Sequence, residues 1–146
     1  MCSSTQPRMK TLTNMNKSLR ILGIDPGYDR LGIAILDRVL GKDKLIHSEC
    51  FRTSSSLPFG ERLLALGKQI ETVIKKFKPE ILAIENLFVF KNQKTAMKVG
   101  EARGAVIYIA EKSGLRVLEF TPLQVKIAIT GYGRSDKKQV QMMVGR

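Results

Sequence analysis

Two carboxylates stand out because each closes a short apolar run: Asp25 ends 19–25 (LRILGID) and Glu85 ends 81–85 (ILAIE). If these runs are neighbouring parallel strands, both acids sit at strand C-terminal ends about 4.8 Å apart, where open α/β sheets usually bind ligands. Side-chain alternation agrees. Ile21, Gly23 and Asp25 share one face of the first run, and Ile81, Ala83 and Glu85 share one face of the second. Two carboxylates within one cation's reach repel each other unless a metal ion or a proton lies between them. Ligands that are all oxygen favour a hard ion such as Mg²⁺.

The elements that would carry this pair follow from periodicity. The run 19–25 is closed by Pro26-Gly27, a strand followed by a turn. Residues 31–36 and 45–51 read as two more strands, with short polar connections at 27–30 and 41–44 that suit an antiparallel meander. Pro58 then opens a helix in which Leu63, Leu66, Ile70, Val73, Ile74 and Phe77 recur at helical spacing until Lys78-Pro79 stops it. Residues 81–85 form a fourth strand, 94–112 a second helix and 115–120 a fifth strand. Thr121-Pro122 and Ser135-Asp136 are two further helix starts. The predicted order is β-β-β-α-β-α-β-α-α. It builds a mixed five-stranded α/β sheet in which the fourth strand, reached through a helix, lies parallel to the first.

At 146 residues there is room for one compact domain with a core but not for two. No apolar run approaches the roughly 20 residues that cross a bilayer, so no membrane span is expected. Residues 1–18 read as a disordered basic arm, in which Met9 and Met15 are alternative starts, and 19–146 as the folded domain. Only Cys2 and Cys50 occur, which is no disulfide framework and points to a reducing cytoplasm. The net charge of +12, from 25 basic and 13 acidic side chains, implies a polyanionic partner. Eleven basic and four acidic residues lie beyond Glu85. Charge alone does not separate a nucleic-acid enzyme from a basic structural surface.

The segments ILGIDPGYDRLGIAIL and, about 60 residues later, LAIENLFVFKNQKTAMKVGEARG together resemble the first and second catalytic segments of the bacterial RuvC family of Holliday junction endonucleases. The resemblance extends from about Arg20 to Arg146. It implies an RNase H-like fold and a homodimer that uses two Mg²⁺ ions per subunit, with Mn²⁺ as an alternative. The implied reaction is symmetric nicking of opposed strands of a four-way DNA junction, in recombination and repair alongside the branch-migration proteins RuvA and RuvB. Asp25 and Glu85 match the first two catalytic metal ligands. In the two-metal scheme the carboxylates hold ions that activate a water and stabilise the leaving oxygen. Phe88 matches a residue that contacts bases near the junction, and stacking on an aromatic is worth about 1 to 3 kcal/mol per base. Its rival role is packing beneath the second helix. Lys126 and Lys137 match lysines that hold DNA phosphates, with Arg134 and Lys138 adding charge.

The second helix carries Ala96, Gly100 and Gly104 at four-residue spacing, a stripe that lets another element approach closely. That element is the chain's own sheet by default, or a second subunit. His47, the only histidine, reads as structural. In the family a last helix with an Asp-x-x-Asp-type pair completes the metal site. The sequence stops at Arg146 ahead of it, so the expected domain lacks the final catalytic helix and offers two carboxylates to two ions. Three other readings stand beside junction cleavage: junction binding without cleavage, a related RNase H-like nuclease acting on RNA, and an actin-like or sugar-kinase ATPase. The last opens with the same strand-Asp-x-Gly-hairpin but needs a second lobe.

Overall fold

The computed structural model describes residues 18–87, 92–134 and 137–144, the last with side chains at 138, 139, 142 and 143 only. Five strands, β1 (Leu19–Asp25), β2 (Arg30–Val39), β3 (Lys42–Arg52), β4 (Ile81–Glu85) and β5 (Arg116–Phe120), form one sheet in the order β3-β2-β1-β4-β5. Four helices complete the described fold: α1 (Phe59–Phe77), α2 (Gln93–Lys112), α3 (Pro122–Thr130) and α4 (Lys137–Val144). The predicted element order holds throughout. β1, β2 and β3 are the antiparallel meander, while β4 lies parallel to β1 and β5 parallel to β4.

The hairpin between β2 and β3 is tighter than the sequence suggested. Val39 pairs with Lys42, so the turn is Leu40-Gly41 alone, and 42–44, expected in a connection, belong to β3. Both turn residues have positive φ, 51° and 76°, as a type I′ turn requires. The twist of the paired strands selects this turn even though leucine is strained there. The polarity of 42–44 is that of an exposed strand end, which composition alone does not distinguish from a loop. A register shift between Ile35 and Leu36 marks a bulge within the same pair.

One sheet face is covered. Leu22, Ile24, Leu31, Ile33, Ile35, Leu82 and Ile84 pack against Leu66, Ile70, Val73 and Ile74 of α1 and Ala102, Val106 and Ala110 of α2. Burial of this apolar surface, at about 25 cal/mol per Å², is the main stabilisation available to the domain. The opposite face carries Ile21, Gly23 and Asp25 of β1 and Ala83 and Glu85 of β4, all half-buried or exposed. The small-residue stripe is therefore not what packs on the sheet. Val99, Ala102, Val106 and Ala110 fill that role. A side chain at Gly104 would meet open space, and only Gly100 has a close neighbour, Leu87 at 3.4 Å from its would-be Cβ.

The helix ends are defined by local chemistry. Asn92 caps α2 by accepting hydrogen bonds from the amides of Lys94 and Thr95, and Thr121 and Gln124 form a reciprocal capping box on α3. Lys78 ends α1 in the left-handed conformation, its amide bonding to the carbonyl of Ile74 just ahead of Pro79. His47 stacks on Phe77, ring centroids 5.0 Å apart.

Candidate functional site

The site is built at the sheet edge where β1, β4 and β5 end and β2 begins. β1 and β4 pair from Ile21↔Ile81 to Ile24↔Ile84, and continuing that register places Asp25 level with Glu85. Two glycines make room around Asp25. Gly32 lies opposite it across β1 and β2, and a Cβ there would come within 3.1 Å of the Asp25 Cβ. Gly27 closes the turn after Asp25 so tightly that a Cβ would stand 2.3 Å from the carbonyl oxygen of Arg30.

Glu85 is half-buried, and its carboxyl is pushed above the ordinary glutamate range. Burial is the largest cause, the negative charge of Asp25 adds to it, and the Lys126 ammonium opposes it. The two acids are therefore electrostatic neighbours, and α3 brings Lys126 to the same place. Lys126 also lines a shallow cleft with Pro122, Leu123 and Gly133.

These donors fit a hard divalent cation: both are carboxylates, their mutual repulsion is relieved by positive charge between them, and the exposed Asp25 leaves the site open to water. Among the described residues no third histidine, cysteine, aspartate or glutamate joins them. Phe88 lies outside the described residues. Lys137 is the first residue of α4, and its side chain is likewise outside them.

Two arginines that sequence reasoning missed hold this edge together. Arg103 of α2 donates to the backbone carbonyl of Glu85 at 3.2 Å and to Asn86 Oδ1 at 2.9 Å, and forms an ion pair with Glu119. It is the arginine of the KVGEARG segment, so the motif contained it without disclosing its partner. Arg62 of α1 is buried; its Nε donates to Thr53 Oγ1 at 2.9 Å, and its guanidinium pairs with Asp29 and lies 4.9 Å from the Tyr28 ring centroid. Thr53 Oγ1 in turn donates to the Tyr28 carbonyl at 2.6 Å. The signal was available: position 62 precedes Leu66 and Ile70 on the apolar stripe of α1, and an arginine on a core stripe calls for a buried acceptor.

A family model described as crossover junction endodeoxyribonuclease RuvC matches residues 21–146. The chain is 43% identical over 126 residues to the crossover junction endodeoxyribonuclease RuvC of Fusobacterium nucleatum, covering 86% of this chain and 66% of that protein. It is 46% identical over 127 residues to that of Caldicellulosiruptor saccharolyticus, covering 86% of this chain and 76% of the relative. Among solved structures it is similar to T. thermophilus RuvC in complex with Holliday junction substrate, with a TM-score of 0.80 and 35% identity over 86% of this chain and 77% of that one.

Proposed function

Because the chain belongs to the RuvC family of crossover junction endodeoxyribonucleases, whose structures have the RNase H-like fold, we propose that it resolves Holliday junctions by metal-dependent phosphodiester hydrolysis. The observation that carries this reading is the Asp25 and Glu85 pair at neighbouring strand ends, with the Glu85 carboxyl pushed up by burial and by its partner's charge. The T. thermophilus relative was solved with a Holliday junction substrate, and the +12 net charge suits a DNA partner.

In this reading Asp25 and Glu85 are the catalytic carboxylates and would hold Mg²⁺, or Mn²⁺ in its place. When bound, two such ions supply a water acidic enough to attack a phosphodiester at neutral pH and neutralise charge on the leaving oxygen. Lys126, beside Glu85, holds a phosphate near the scissile bond. Lys137 and Phe88 are assigned to phosphate and base contacts by their positions in the family motif. Arg103 is a positioning residue that fixes the backbone carrying Glu85. Residues 19–146 form the nuclease unit, with 1–18 as a basic arm. The active species is a cytoplasmic homodimer nicking two opposed strands and acting with RuvA and RuvB.

No helix among the described residues is long and apolar enough to cross a membrane. The test is a nicking assay on a synthetic four-way junction with Mg²⁺ added or chelated. Paired, metal-dependent nicks are expected. Metal-independent binding without nicks would instead identify a junction-binding protein, and preferential cleavage of an RNA strand a different RNase H-like nuclease.

A further inference from the structure

The carboxylate pair leaves unexplained a second cleft on the same sheet edge. It measures about 580 Å³ and is lined by the turn after Asp25, the start of β2, the end of β3 and the first turns of α2. Arg30 and Arg52 both line it, and they are direct partners in the β2 and β3 pairing. Like charges directly opposite each other across an antiparallel pair destabilise it. Neither arginine makes an ion pair among the described residues, whereas Arg20 pairs with Asp37, Arg38 with Asp43 and Arg62 with Asp29. The one carboxylate lining the cleft, Asp29, is occupied by buried Arg62.

The remaining walls are suited to an anion. Ser55 and Thr95 bring hydroxyls, and beside the cleft the Lys98 ammonium lies 5.5 Å from the ring centroids of Tyr28 and Phe59. The walls are also fixed in place. Arg62 and Thr53 bind the Tyr28 carbonyl from two sides, and the Thr53 amide bonds to the Asp29 carbonyl at 3.1 Å. Two unpaired guanidiniums on a braced edge form a preorganised site for phosphate oxygens, which arginine's planar fork matches well.

We propose that this cleft is a phosphate subsite for the DNA strand being cut, with Arg30 and Arg52 clamping one backbone phosphate. Asp25 pairs with Gly32, and Arg30 and Arg52 lie two residues further along and one and two strands over. The clamped phosphate is thus about one to three nucleotides from the scissile bond. The subsite fixes the path of the strand past the carboxylates and rests on the junction-nuclease reading.

The test compares the wild-type protein, R30Q/R52Q, and the charge-matched control K75Q/K112Q, whose lysines lie at the C-terminal ends of α1 and α2. Binding of a fluorescent four-way junction is titrated in chelator from low to moderate salt. R30Q/R52Q should bind about tenfold or more weakly, with the slope of log affinity against log salt reduced by about one to two, while the control keeps its site-specific affinity. Among methylphosphonates placed singly at each position near the cut, one that weakens the wild type should leave R30Q/R52Q unaffected, while those at phosphates held by other residues weaken both proteins alike. The melting temperature of R30Q/R52Q should be unchanged or higher, because a repulsive pair is removed. Equal affinity, slope and methylphosphonate response in R30Q/R52Q and wild type overturns the subsite while leaving junction cleavage standing. Failure of the wild type to bind the junction overturns both.

Discussion

Glu85 illustrates a conflict between stability and chemistry within one residue. Its carboxyl titrates above the ordinary glutamate range, so the folded state holds that proton more tightly than the unfolded chain does. The stability linked to this group is fully present below the ordinary range and is lost as pH rises through the raised value. Glu85→Gln should therefore melt higher than wild type at pH 7, with the advantage fading as pH falls through the raised value and gone below the ordinary glutamate range, while junction nicking disappears. Thermal denaturation across pH checks the first part. Saturating Mg²⁺ should raise the melting temperature of the wild type and not of Glu85→Gln, and an equal rise in both would mean that the carboxylate does not hold the ion. Lys126 works in the opposite direction, since its ammonium favours ionised Glu85 even before any metal arrives.

Connections between elements are where local sequence and tertiary demand diverge. Leu40 is exposed at φ 51° in the β2 and β3 turn, so nothing about its packing repays the strain. Leu40→Asn should stabilise the protein by about 0.5 to 1 kcal/mol, read as a shifted denaturation midpoint at constant slope, because Asn-Gly suits a type I′ turn. Arg62 ties three elements: the loop after β1, the end of β3 and the first turn of α1. Arg62→Met keeps the volume but removes these bonds, and should cost about 1 to 3 kcal/mol in denaturant unfolding. It should also weaken junction binding, because the loop it braces forms a wall of the Arg30 and Arg52 cleft. A loss of stability with unchanged affinity would separate the brace from the cleft. The stripe of Ala96, Gly100 and Gly104 faces away from the sheet. Leu87 already lies against Gly100, whereas a side chain at Gly104 would meet open space, which leaves the Gly104 end of the stripe available to the proposed homodimer. Light scattering at micromolar concentration should then report a dimer, and a monomer would exclude this role.

For the whole molecule, a net charge of +12 on 146 residues makes association with DNA strongly dependent on ionic strength. Junction affinity should fall by orders of magnitude between about 50 and 200 mM salt if six or more phosphates are neutralised, as a titration series would show. The sequence by itself determined the element order, the parallel placement of β4 against β1 and the Asp25 and Glu85 pair. Each of these depends on short-range signals: an apolar run ended by an acid, a turn dipeptide, a helical stripe. Tertiary structure decided what depends on partners distant in the chain. Arg62 and Asp29 are 33 residues apart, Arg103 and the Glu85 carbonyl 18, and no local pattern links either pair. The raised carboxyl of Glu85 is of the same kind, since it needs burial by the sheet edge together with the charge of a strand 60 residues earlier. Register, too, is set only when strands meet: it turned 42–44 from connection into strand and brought Arg30 opposite Arg52, because a hairpin's turn must match the twist of the strands it joins.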